Sequence, residues 1–115
     1  MTLSLPEKER VVCDTSPLIW LGKVNKLDLL QRLFGCVLVP ETVRLEAVRG
    51  ESADALLIRE AIREGWISVE AVGGDYGELL EVSGMHRGEA EAILLARRLD
   101  ALFLVDDKEA SMVAR

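Results

Sequence analysis

The sequence predicts an α/β fold, a central parallel sheet with helices on both faces. Short apolar runs alternate with helical stretches along the chain, the pattern of a parallel sheet. The runs are continuously apolar, as in Val11-Val12-Cys13 and Val37-Leu38-Val39, which suits strands covered on both sides. The first and fourth runs end in acids, Asp14 and Asp106-Asp107, and ligands of such sheets bind beyond the carboxyl ends of the strands. If strands one and four are neighbours, those acids converge.

The first strand is read over Arg10 to Asp14. Ser16 is a good N-cap and Pro17 a good first helical residue. The helix runs through Leu18, Ile19 and Leu21, breaks near Asn25, and resumes across Leu27, Leu29, Leu30 and Leu33 to Gly35. These leucines are read as helix core, because they span too few heptads for a zipper. Cys36 to Val39 is the second strand, and Pro40 opens a helix from Glu41 to Arg49 that Gly50 closes. The next helix runs from Ser52 to Glu64, with Leu56, Leu57, Ala61 and Ile62 near one face and Gly65 as its stop. Trp66 to Val72 is the third strand, and Gly73, Gly74, Asp75 and Gly77 form the least ordered stretch. Gly88 opens a helix over Glu89 to Leu99, Ala101 to Val105 is the fourth strand, and Lys108 to Arg115 starts one more helix.

Composition narrows the chemistry. The 115 residues suit one domain, 1–115, and 50% hydrophobic with 30% charged residues predicts a packed core. The net charge of −6 argues against a broad basic nucleic-acid surface, but not against contact through metal ions, since a bound cation outweighs local protein charge. No apolar run is long enough to span a bilayer, and Met1 to Arg10 lacks a signal-peptide core, so a cytoplasmic protein with no membrane contact is expected. Cys13 and Cys36 lie in apolar runs and are read as buried, reduced thiols. Trp20 and Trp66 are read as packing residues. With one histidine, His86, a histidine metal site or a Ser-His-Asp triad has little material. His86 and Arg87 are read as solvated loop residues, with contact to a substrate phosphate as the alternative. Hydrolytic chemistry would rest on carboxylates.

Glu46, in the helix after the second strand, and Glu89 and Glu91, in the helix before the fourth, can join Asp14 and Asp106 or Asp107. Each has an ordinary explanation. Asp14 can form a turn, Glu46 can be a surface residue, Glu89 and Glu91 can favour a helix N-terminus, and Asp106 or Asp107 can cap a helix. Together they form the oxygen-rich set that hard divalent cations prefer. Glu89 and Glu91 point about 200° apart on a helix. Glu89 shares its face with Ala92, Ile93 and Ala96, so Glu89 is expected to be the inward acid.

Four segments, Val11 to Ile19, Val39 to Glu46, Gly88 to Ile93, and Leu104 to Asp107, resemble the PIN-domain family, and within it a PIN-like branch related to VapC ribonuclease toxins. The resemblance covers about Arg10 to Arg115. It implies a three-layer α/β/α fold and a ribonuclease using Mg²⁺ or Mn²⁺. The family's acids match Asp14, Glu46, Glu89 and Asp107, with Glu91 and Asp106 as the competing choices for the last two. Thr15 and Ser16 match its assisting hydroxyls. It also implies an RNA substrate, a homodimer and, for toxins, an antitoxin that blocks the site. Two departures stand out. Val105-Asp106-Asp107-Lys108 replaces the usual Thr-Arg-Asp triplet. The family's fifth, edge strand is also missing after Arg115, so either the chain is C-terminally truncated or a dimer partner covers the fourth strand.

The leading expectation is a PIN-like endoribonuclease, with Asp14 and Asp107 bridging a cation and Glu46 helping to deprotonate water. The alternative is a non-catalytic PIN-like module that binds nucleic acid or protein. A phosphoacceptor signalling domain fits poorly, because the third strand ends in Val72-Gly73-Gly74 with no acid until Asp75.

Overall fold

In the computed structural model, residues 10–73 and 87–105 are described. The elements are β1 (Val11–Cys13), α1 (Thr15–Lys23), α2 (Asp28–Phe34), β2 (Val37–Pro40), α3 (Glu41–Ala47), α4 (Ala53–Glu64), β3 (Ile67–Glu70), α5 (Arg87–Leu99) and β4 (Leu102–Leu104). The four strands form one parallel sheet in the order β3-β2-β1-β4. Val12 pairs with both Leu38 and Phe103, and Cys13 with Leu104. The expected neighbourhood of strands one and four is therefore present, and β3 and β4 are the edges among the described residues.

Alternation along β1 divides the core. Cys13 faces a cluster with Leu18, Leu30, Val39, Val43 and Ile58, which joins the sheet to α1–α4. Val12 faces Ala92, Leu95 and Ala96 of α5 on the other side. Val11, Val12 and Cys13 are all fully buried, as a strand inside a three-layer fold requires. No helix among the described residues is long and apolar enough to cross a membrane.

Local chemistry explains most boundaries. Asn25, at φ 57°, breaks the chain between α1 and α2, a left-handed turn that asparagine tolerates better than most residues. Gly65 ends α4 in the left-handed conformation at φ 92°. The Ser52 hydroxyl accepts from the Ala55 amide at 3.4 Å and caps the same helix. Arg59 reaches back from α4 to donate to the carbonyls of Val48 and Gly50, fixing the exit from α3.

Several local expectations need correction. Ser16 is exposed and is not the cap of α1; Asp14 holds the N-cap position in extended conformation, and the helix starts at Thr15. Pro17 still falls in the first turn, where a missing amide hydrogen costs nothing. Cys36 is exposed, because it precedes β2 rather than lying within it. Trp66 packs in the core, but Trp20 is 61% exposed, since α1 turns Leu18 and Gly22 inward. Leu29 and Leu33 likewise face outward from α2. On α4 the buried face is Asp54, Ala55, Ile58 and Ala61, which leaves Leu56 exposed. Arg87 is the first described residue of α5 rather than a loop residue. The expectations for Gly74, Asp75, Gly77, His86, Asp106, Asp107 and the helix from Lys108 lie outside the described residues.

The inward turn of Gly22 lets the backbone of α1 lie directly against α4 at Asp54. A Cβ on Gly22 would stand 2.7 Å from the Asp54 Cβ and 3.1 Å from its Cα. Gly22→Ala should therefore force α1 and α4 apart and cost about 1–3 kcal/mol, measured by urea unfolding. Unchanged stability would contradict this packing. The thiols should also separate. Burial, reinforced by the charge of Asp14, pushes the Cys13 thiol well above its ordinary range. Cys36 should react with a thiol reagent in the native state at pH 8, and Cys13 only after unfolding. As the pH rises above the ordinary thiol range near 9.0, the unfolded chain loses the Cys13 proton that the folded one keeps. Stability should fall there, and less so in Cys13→Ala.

Candidate active site

The carboxyl end of β1 delivers Asp14 into the interior, where it is only 3% exposed. Its amide donates to the Leu104 carbonyl at 3.0 Å, so the pairing of β1 with β4 continues into the site. Val105 follows, and the chain then passes to Asp106 and Asp107, which are outside the described residues.

Pro40, the last residue of β2, leads directly into α3 in extended conformation. Val43 and Ala47 anchor that helix in the core. Thr42 and Glu46 are one turn apart and share another face. The Thr15 hydroxyl, at the start of α1, donates to Glu46 Oε2 at 3.1 Å. The same carboxylate lies against the first turn of α5, since a Cβ on Gly88 would meet Glu46 Oε1 at 3.3 Å and Val43 Cγ2 at 3.5 Å. Glu46 thus connects the first turns of α1 and α5 while remaining exposed to solvent.

One turn into α5, Glu91 is 4% exposed. Its Oε1 accepts from the Thr42 hydroxyl at 3.0 Å, and its Oε2 accepts from Arg87 Nε at 3.1 Å. Charge-assisted hydrogen bonds of this kind offset part of the cost of burying a carboxylate. Glu89 is half-buried. Glu91 is therefore the more buried of the two, the reverse of the expected order. Ala92, Leu95 and Ala96 take the positions against the sheet, and the neighbouring face, with Glu91 on it, turns toward α3. Thr15 touches Glu46 as described, whereas Ser16 points to solvent.

Thr42 and Gly88 are not singled out from sequence as parts of the site, and Arg87 is read there only as a solvated residue or a contact to substrate phosphate, not as a partner of Glu91. Two spacings carried the signal. Thr42 stands four residues before Glu46, and Arg87 four before Glu91, each pair on one helix face. At the start of α3, Arg44 pairs with Glu41 and holds that carboxyl below its usual range.

Among the described residues, no three His, Cys, Asp or Glu side chains are grouped closely enough to hold a metal. A cleft of about 750 Å³ lies elsewhere, between α5 and β2–β3, with Arg10, Cys36, Leu38, Leu95 and Arg98 in its wall. Glu70 also lines it, but none of Asp14, Glu46, Glu89 and Glu91 does.

A family model described as a PIN domain matches residues 10–115. No curated protein and no solved structure matches the chain. The sheet order, the acids at its carboxyl edge and this match agree, and the chain belongs to the PIN-domain family, whose general activity is that of a nuclease.

Proposed function

We propose that the protein is an endoribonuclease that uses Mg²⁺ or Mn²⁺ to hydrolyse RNA phosphodiester bonds. The observation that carries this reading is the position of Glu46, whose carboxylate contacts both Thr15, next to Asp14, and the first turn of α5 at Gly88. One side chain thereby links the first turns of α1 and α5 beside the carboxyl end of β1.

The donor set fits a hard divalent ion in its chemistry. Asp14 and Glu91 are buried carboxylates, and burying such charges costs several kcal/mol per ion without compensation. Asp14, Glu46, Glu91 and Asp107 are the residues we assign to hold the ion, with Glu89 as the alternative to Glu91 and Asp106 as the alternative to Asp107. Bound there, the ion would supply water activation and charge neutralisation at the leaving oxygen. The chain's own parts have separate tasks. Asp14 fixes the floor of the site through the backbone of β1 and β4. Thr15 orients Glu46, and Glu46, the open carboxylate, takes the proton of the attacking water. Thr42 holds Glu91 to the wall. The toxin role, the antitoxin and the homodimer rest on the family resemblance alone and are proposed with it.

A specific observation favours a second reading, a binding module without catalysis. Both oxygens of Glu91 are already engaged by protein donors, and the described residues contain no ready three-ligand group.

Cleavage of single-stranded RNA in Mn²⁺ separates the readings. The wild type should cleave, EDTA should abolish cleavage, and Mn²⁺ in excess should restore it. Asp14→Asn and Glu46→Gln should each lower the rate at least about 100-fold while leaving the chain folded. Wild-type cleavage that survives EDTA or Asp14→Asn would refute the metal-dependent reading. No cleavage, with no Mn²⁺ binding at millimolar levels, would favour the binding module.

A further inference from the structure

An acidic pocket that works on a polyanion needs positive charge beside it, and a chain of net charge −6 offers that in few places. Arg32, Arg44, Arg63 and Arg87 each pair with an acid three or four positions away on the same helix. Arg10 and Arg98 stand in the wall of the cleft that none of the site's acids lines. Arg49 and Arg59 differ from both groups. Both are exposed, and they meet where α3 ends. The Arg49 amide donates to the Glu46 carbonyl at 3.4 Å, so Arg49 stands one turn beyond the open carboxylate of the site. Its side chain has no ion pair with any described residue, although Glu51 is two positions away. Arg59 comes to the same turn from α4. Its Nη2 donates to the carbonyls of Val48 and Gly50, at 2.6 and 2.8 Å, so the guanidinium straddles the backbone of Arg49. These acceptors are neutral, and no described acid pairs with the charge. A Cβ on Gly50 would meet nothing within 4 Å, which leaves the face of the turn open.

We propose that Arg49 and Arg59 form a phosphate-binding subsite that holds the RNA strand one helical turn from Glu46. The proposal rests on the ribonuclease function and names the part of the chain that grips its substrate. A guanidinium is always charged, and its planar array of donors matches a phosphate. Arg59 is already fixed through Nη2, so less side-chain freedom is lost when Nε and Nη1 meet a phosphate oxygen. Arg49 has no internal ion pair to break before it binds. Two arginines make a local anchor rather than a basic track, which agrees with a chain too acidic for a broad basic surface. A purely structural role would confine Arg59 to holding the end of α3 and would give Arg49 no part at all.

The test is fluorescence anisotropy of a labelled single-stranded oligouridylate with the full chain in EDTA, where no divalent ion contributes, across about 50 to 200 mM salt. The proteins are wild type, Arg49→Gln, Arg59→Gln and, as a control that removes the same charge elsewhere, Arg32→Gln, with thermal unfolding of each. Arg49→Gln should melt as wild type does and bind about threefold to tenfold more weakly at low salt, the scale of one net hydrogen bond. Its plot of log affinity against log salt should be flatter by about 0.7, the value of one phosphate contact on a single strand. Arg59→Gln should show the same loss. Should that variant fail to fold, Arg49→Gln decides, since its side chain has no described ion pair to lose. Arg32→Gln should bind as wild type does. Unchanged affinity and slope in Arg49→Gln, or an equal loss in Arg32→Gln, would overturn the subsite and leave the ribonuclease function standing. A wild type that cleaves RNA in Mn²⁺ but does not bind it in EDTA would do the same. A wild type that neither binds nor cleaves RNA would overturn both.

Discussion

The structure depends on the burial of β1 at the centre of the sheet. This strand has only three residues, all without exposed surface, and it pairs with β2 on one side and β4 on the other. The chain first winds outward from β1 through β2 to β3, then returns across the sheet to β4. Such a reversal leaves a crevice beyond the carboxyl ends of the strands on either side of the switch. Asp14 occupies that end of β1, and the hydrogen bond from its backbone N–H to the Leu104 carbonyl closes the floor beneath. The place of the acids thus follows from strand order, before any side-chain contact is considered.

The short helix α3 turns that crevice into a site. It projects Thr42 and Glu46 from one face while Val43 and Ala47 hold it to the core. Thr42 reaches Glu91 and Glu46 accepts from Thr15, so a single turn of helix ties the first turns of α1 and α5 to each other. Gly88 makes the approach possible, because any side chain there would crowd the Glu46 carboxylate. The net charge of −6, which counts against a broad basic nucleic-acid surface, takes on a different meaning with the proposed cation in place. Part of that acidity is then the means of holding the ion that faces a phosphodiester.

How much was legible in the sequence depended on the kind of signal. The alternation of apolar runs and helices was enough for the α/β class, and the continuously apolar strands for burial on both faces. The break at Asn25 and the stop at Gly65 followed from backbone preferences that are local. Trp20, Leu56 and Cys36 were misread because hydrophobic character does not say which way a residue faces when the apolar stripe is broad or the strand boundary shifts by one residue. The order of Glu89 and Glu91 failed for a related reason. α5 has two inward faces, one on the sheet and one on α3, and a rule that knows only the sheet places the acid on the wrong one. Thr42 was missed because its role appears only once α3 and α5 are packed together.

Anomalous diffraction from crystals grown in Mn²⁺ tests the central claim most directly, because it reads the ion and its ligands together. The account predicts one or two peaks within about 2.5 Å of carboxylate oxygens of Asp14 and Glu91, with an acid from Asp106-Asp107 completing the shell. Well-ordered crystals at saturating Mn²⁺ that show no peak at the carboxyl end of β1 would contradict it.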